Sequence, residues 1–235
     1  EQGKQEKAYE VTSLLRRYWE NNAFGQRSPC YTGFALNSYL SGMEKLIEAY
    51  IQAGNTAKAN ALYDELISTV KKNTENITIY NKSLFENITM TGAENGLKDP
   101  LENLAQYIAD NGEIDYKYDD STDPVAFIYA MAGNYHKTIE RLENYEYKDN
   151  SPRTPIGKAL SQKKIGDGIR ITTFLEIAKA LSKAGDKKGA LLFLEKSTPY
   201  IGKRPAKYDP LSDTLDDDIT KADILLDLGE KEKSR

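Results

Sequence analysis

The sequence predicts an all-α fold, an irregular array of α-α hairpins or a superhelix, and three observations predict it. Apolar residues recur three and four apart along much of the chain, the period of a helix with one buried face. Four of those stretches end on a glycine, the residue that closes a helix in the left-handed conformation at least cost. Three of the four glycines are flanked by the same order of large and small side chains.

Residues 6–23 form the first predicted helix, with Tyr9, Leu14, Leu15, Tyr18 and Trp19 as its stripe. Phe24 to Pro29 ends it, because Gly25, Ser28 and Pro29 are turn residues. Residues 35–53 carry Leu36, Tyr39, Leu40, Met43, Leu46, Ile47 and Tyr50, and residues 56–72 follow after Gly54. Asn55 or Thr56 caps the second of these. A short helix is expected over 79–90, with the β-branched run Ile77-Thr78-Ile79 arguing for a strand instead. Residues 101–110 are helical and 113–123 a charged loop.

Pro124 suits a first helical turn, where its missing N–H costs nothing. That helix is predicted to run to Ala132, stop at Gly133, and be followed by a partner over 135–145. Further helices are predicted over 169–184, 187–197 and 218–228, the last capped from Asp216-Asp217-Asp218 and ended by Gly229. Pro152 and Pro155 make 147–157 a linker or long loop. The expected organisation is therefore N-terminal hairpins over 1–146, that linker, and C-terminal hairpins over 158–235.

The four glycines are Gly54, Gly133, Gly185 and Gly229. A large apolar residue precedes each by four positions. Five positions after come Ala59, Thr138, Ala190 and Ser234, all small. Nine after the first three come Tyr63, Leu142 and Leu194, all large. The small residue lets the second helix approach the first closely, and the large ones fill the space on either side.

This order resembles the tetratricopeptide repeat, a helix-turn-helix of 34 residues with set small and large positions. Met43 to Lys72 matches through Leu46, Tyr50, Gly54, Ala59, Tyr63 and Leu66. Phe174 to Ser197 matches through Ile177, Ala178, Leu181, Gly185, Ala190 and Leu194. The likeness covers about half the chain and departs from the family in its uneven glycine spacing. It implies a concave helical surface for a peptide or protein. Arg170 to Leu194 also resembles helical regions attached to bacterial multi-pass glycosyltransferase-like membrane proteins, through residues common to helical repeats.

Composition narrows the functional classes. Lys+Arg 32 against Asp+Glu 36 gives a net charge of -4 and no basic stripe, so no nucleic-acid partner is expected. No apolar run is long enough to span a membrane. One cysteine, Cys30, excludes an internal disulfide and leaves the compartment open. One histidine, His136, excludes zinc sites with several His ligands. No phosphate loop, dinucleotide fingerprint or nucleophile elbow occurs, so no catalytic residue, metal ligand or cofactor is assigned.

Sixteen tyrosines against six phenylalanines supply rings with polar tips, which suit an interaction face. The binding-groove candidates are Tyr18, Trp19, Tyr31, Tyr39 and Tyr50. A protein- or peptide-binding module is the leading expectation. The alternative is a carbohydrate-binding or glycoside-processing helical domain, with Glu20, Asp64, Glu65 and Asp115 as conceivable carboxylates.

Overall fold

The computed structural model describes residues 29–72, 82–111, 122–145, 155–201 and 210–229, with residues 3, 6, 7, 9–11, 13, 14, 16 and 17. Within these, the side chains of 29–35, 37, 82–85, 111, 155–165 and 210–215 lie outside the description. The fold is all-α: the described residues between 3 and 17 are helical, nine α-helices follow, and no strand occurs among the described residues. The chain divides into two compact units, Glu1–Asp115 and Tyr116–Arg235.

The first unit holds α1 (Pro29–Gln52), α2 (Thr56–Lys72), α3 (Lys82–Glu94) and α4 (Lys98–Asn111). α1 pairs with α2 and α3 with α4, while α1 also packs on α3 and α2 on α4. Two hairpins are thus laid side by side. α1 buries Leu36, Tyr39, Leu40, Met43, Leu46, Ile47 and Tyr50, and α2 answers with Ala59, Tyr63, Leu66, Ile67 and Val70.

The second unit holds α5 (Pro124–Met131), α6 (Tyr135–Glu143), α7 (Pro155–Lys183), α8 (Lys187–Ser197), a 3-10 turn at Thr198–Tyr200, and α9 (Pro210–Asp227). α5 pairs with α6, α7 with α8, and α7 packs on both α5 and α9. Nearly every side chain of α5 is apolar and buried, as expected of a helix covered on all sides.

The hairpin turns share one hydrogen-bond pattern. The glycine N–H donates to the carbonyl three residues back, and the next residue to the carbonyl five back. Asn55 reaches Tyr50 O at 2.8 Å, and Asn134 and Asp186 reach Tyr129 O and Leu181 O at 2.9 Å. This is the Schellman closure, and it needs the left-handed glycine. Gly54, Gly133, Gly185 and Gly229 have φ between 72° and 84°. Asn55, Asn134 and Asp186 then accept from the backbone N–H three residues on and so start the second helix.

A fifth such turn, at Gly96 with φ +70°, closes the α3–α4 hairpin. It escapes the sequence pattern because its sizes are inverted. Four before Gly96 stands Gly92, five after it Leu101, and nine after it Ala105. Leu101 fills the room that Gly92 leaves, so close packing is kept with the large residue on the other helix.

Several predicted boundaries move. α1 begins at Pro29, not at residue 35, and α9 at Pro210, not at 218. In both, a proline with its φ already helical opens the helix. Asp216, Asp217 and Asp218 therefore lie within α9 and are not its caps. α7 begins at Pro155, inside the stretch read as a linker, and runs through the glycines at 157, 166 and 168. The 79–90 helix is α3, displaced to Lys82–Glu94, and residues 73–81 lie outside the description.

Buried polar groups tie the second unit together. The Asp123 carboxylate is wholly buried. One oxygen accepts from Val125 N at 3.0 Å and Ala126 N at 3.1 Å, and the other from Arg141 Nε at 2.7 Å. Arg170 on α7 donates to Leu142 O at 2.8 Å and Tyr145 O at 2.5 Å, tying the end of α6 and the residues after it to α7. Its Nη1 also pairs with Asp167 at 2.8 Å. The Tyr135 hydroxyl donates to Asp186, at a place where a side chain on Gly189 would meet it. Burial, and then the Asp186 carboxylate, push the Tyr135 phenol up.

Candidate functional site

A groove of about 840 Å³ lies in the first unit, between the N-terminal helical residues and the α1–α2 hairpin. Each wall follows from helical spacing. Leu46 and Tyr50, four apart, lie on α1, and Ala53 follows in the turn after it. Lys58, Ala61, Leu62 and Glu65 lie three and four apart on α2. Asn55 closes the hairpin end, and Glu6 and Tyr9, three apart, form the third wall. Such spacings place side chains on one helix face.

The lining has an apolar floor and a charged rim. Leu46 and Tyr50 are nearly closed off from solvent, whereas Tyr9 is 59% exposed. The Lys58 ammonium stands 5.5 Å from the centre of the Tyr50 ring, a cation–π contact across the hairpin mouth. Glu65 anchors the N-terminal residues: Arg16 Nη1 donates to its Oε1 at 2.7 Å, and the Tyr39 hydroxyl to the same oxygen at 3.1 Å. Both Arg16 and Glu65 are well exposed, so the pair itself contributes little to stability.

The aromatic candidates separate. Tyr50 lines the groove. Tyr39 is buried at 2% exposure, and it bears on the groove only through its hydroxyl on Glu65. Tyr18 and Trp19, and the side chain of Tyr31, lie outside the described residues. Helical periodicity does not mark Lys58, Ala61 and Leu62 as groove residues. Their signal is the face of α2 beside its buried stripe, which one sequence does not distinguish from an ordinary solvated flank.

The residues proposed to shape the hairpins occupy the contacts between helices. Ala59, Thr138 and Ala190 are at most 1% exposed, and Tyr63, Leu142 and Leu194 at most 2%. Tyr63 also donates its hydroxyl to Ile88 O on α3 at 2.7 Å, and burial pushes its phenol up.

Catalytic chemistry finds few groups. His136 is 89% exposed at its side chain, 3.9 Å from Glu140. The Asp123 carboxylate is committed to the α5 cap and Arg141. Asp119, Asp120, Glu20 and Asp115 lie outside the described residues. Among the described residues, no three His, Cys, Asp or Glu side chains gather as a metal site, and no helix is long and apolar enough to cross a membrane. No family model, curated protein or solved structure gives a significant match to the chain.

Proposed function

We propose that the chain is a noncatalytic helical-repeat module of tetratricopeptide-like hairpins, and that the α1–α2 groove seats a segment of a partner peptide. The observation that carries this reading is the groove itself, with Leu46, Tyr50, Ala53, Ala61 and Leu62 in its lining and Glu6, Asn55, Lys58 and Glu65 among them. An apolar floor gives a large side chain somewhere to be buried. A few placed polar groups orient the backbone and neighbouring charges. The paired helices α1 and α2 supply two of the groove's walls.

Panning a random peptide library on the purified chain tests the proposal. Selected peptides are expected to lose about tenfold or more in affinity on Leu62→Asp or Tyr9→Ala, as central contacts do when lost. Helical content checked by circular dichroism separates lost binding from lost fold. Peptides that bind both variants as they bind the parent chain would place recognition elsewhere.

A second reading, oligosaccharide binding, draws on the two carboxylates, Glu6 and Glu65, beside the Tyr9 and Tyr50 rings. Tyr50 is nearly buried and Glu65 is already engaged by Arg16 and Tyr39, which favours the peptide. Titration with soluble oligosaccharides, followed by tyrosine fluorescence, decides between the two.

A further inference from the structure

α9 is built as the first helix of a hairpin. It closes on Gly229, at φ +77°, whose N–H donates to Leu226 O at 2.9 Å. In the hairpins that α1, α5 and α7 open, the positions ten and three before the turn glycine are not exposed. They are Glu44 and Ile51, Asp123 and Ala130, and Leu175 and Ser182. On α9 the same two positions are Ile219 and Leu226, which are 49% and 50% exposed.

These two side chains lie seven residues apart, so they share one face over two turns. The opposite face is already used, because Asp217, Ile224 and Leu225 are buried where α9 packs on α7. Asp216 and Asp223, three and four residues from Ile219, are exposed, as is Asp227 beside Leu226. An apolar pair is thus bordered along one flank by carboxylates.

We infer that this outer face of α9 docks an amphipathic helix of a partner protein, one carrying two large apolar side chains two turns apart and Lys or Arg beside them. Two apolar side chains two turns apart on one helix face match the same spacing on a second helix, which is the argument for a helix. The acidic border is the argument for a basic one. A second copy of α9 would bring the same carboxylates against this border, and like charges brought together oppose association.

The test uses the full chain and two synthetic helical peptides of about five turns. Both carry leucines on one face, one flanked by lysines and the other by glutamates. Fluorescence anisotropy reads binding to the parent chain, to Ile219→Asp/Leu226→Asp, and to Asp223→Lys/Asp227→Lys. All four substitutions are on exposed side chains, and circular dichroism confirms the helices. The lysine peptide is expected to bind the parent. It should bind the apolar double variant about tenfold or more weakly. The charge-reversed variant should prefer the glutamate peptide. Equal binding of the lysine peptide to the parent and the apolar variant would overturn the proposal, as would failure to bind the parent. Dimerisation of the chain that the apolar variant abolishes would assign the face to a second copy instead.

Discussion

The Tyr63 hydroxyl of α2 lies against Gly92 of α3, where any Cβ would meet it. A methyl on Gly92 would stand 2.7 Å from Tyr63 Cζ and 3.1 Å from Leu101 Cδ1. The ring is wholly buried and its hydroxyl is held by Ile88 O, so it has nowhere to retreat. This contact joins the two hairpins of the first unit.

Gly92→Ala is therefore expected to destabilise the first unit by about 1–3 kcal/mol, the usual cost of overpacking. Tyr63→Phe alone should cost about 0.5–1.5 kcal/mol through the lost hydrogen bond. The double variant is expected to lose less than the sum, since removing the hydroxyl opens the room that the methyl needs. Urea denaturation of the four proteins measures the coupling, and strict additivity would contradict the contact.

Asp123 serves two purposes that substitution can separate. Asp123→Asn retains an oxygen for the N-terminal cap of α5 but gives up the charge that pairs with Arg141. Asp123→Ala gives up both. Loss of the cap is worth about 0.5–2 kcal/mol, so the alanine variant should be the less stable by that margin. Denaturation midpoints for the two variants check the order.

Arg170 acts on α6 from another helix. Arg170→Lys keeps the charge but not the planar fork that reaches Leu142 O, Tyr145 O and Asp167 together. Amide exchange near the end of α6 is expected to quicken in Arg170→Lys, while that of α8 changes less. Unaltered protection over residues 139–145 would mean that the α6 carbonyls do not depend on the arginine.

Glu44 gives the fold a pH dependence. It is 4% exposed on α1, and burial raises its carboxyl above the ordinary 4.5, with Lys45 opposing in part. A raised carboxyl favours the protonated form in the folded chain. Its stabilising effect is full below about 4.5 and is lost as pH rises through the folded value. Glu44→Gln, neutral at every pH, is expected to be more stable than the parent at neutral pH. That lead should close as the solution is acidified towards 4.5, measured by urea midpoints across the range.

Much of this architecture is legible in the residues themselves. The stripe from Leu36 to Tyr50 names the buried face of α1, and Gly54, Gly133, Gly185 and Gly229 name the turns. These features are local: a helix period and a left-handed residue act within a few positions of where they are written. The α3–α4 hairpin is harder to read. Gly92, Leu101 and Ala105 keep the packing while exchanging which helix carries the bulk, and only the paired helices reveal the exchange. The groove is harder still, because Lys58, Ala61 and Leu62 become a wall only once the N-terminal residues lie across from them.

The sequence by itself determined that the chain is all-helical and folds back at its glycines, since backbone conformation and amphipathic period are properties of neighbouring residues. Tertiary structure alone decided that Tyr63 needs Gly92, that Arg170 reaches the carbonyls at the end of α6, and that Tyr9 remains exposed. Each depends on residues far apart in sequence coming within a few ångströms, and helical periodicity states which face is buried without stating what it is buried against.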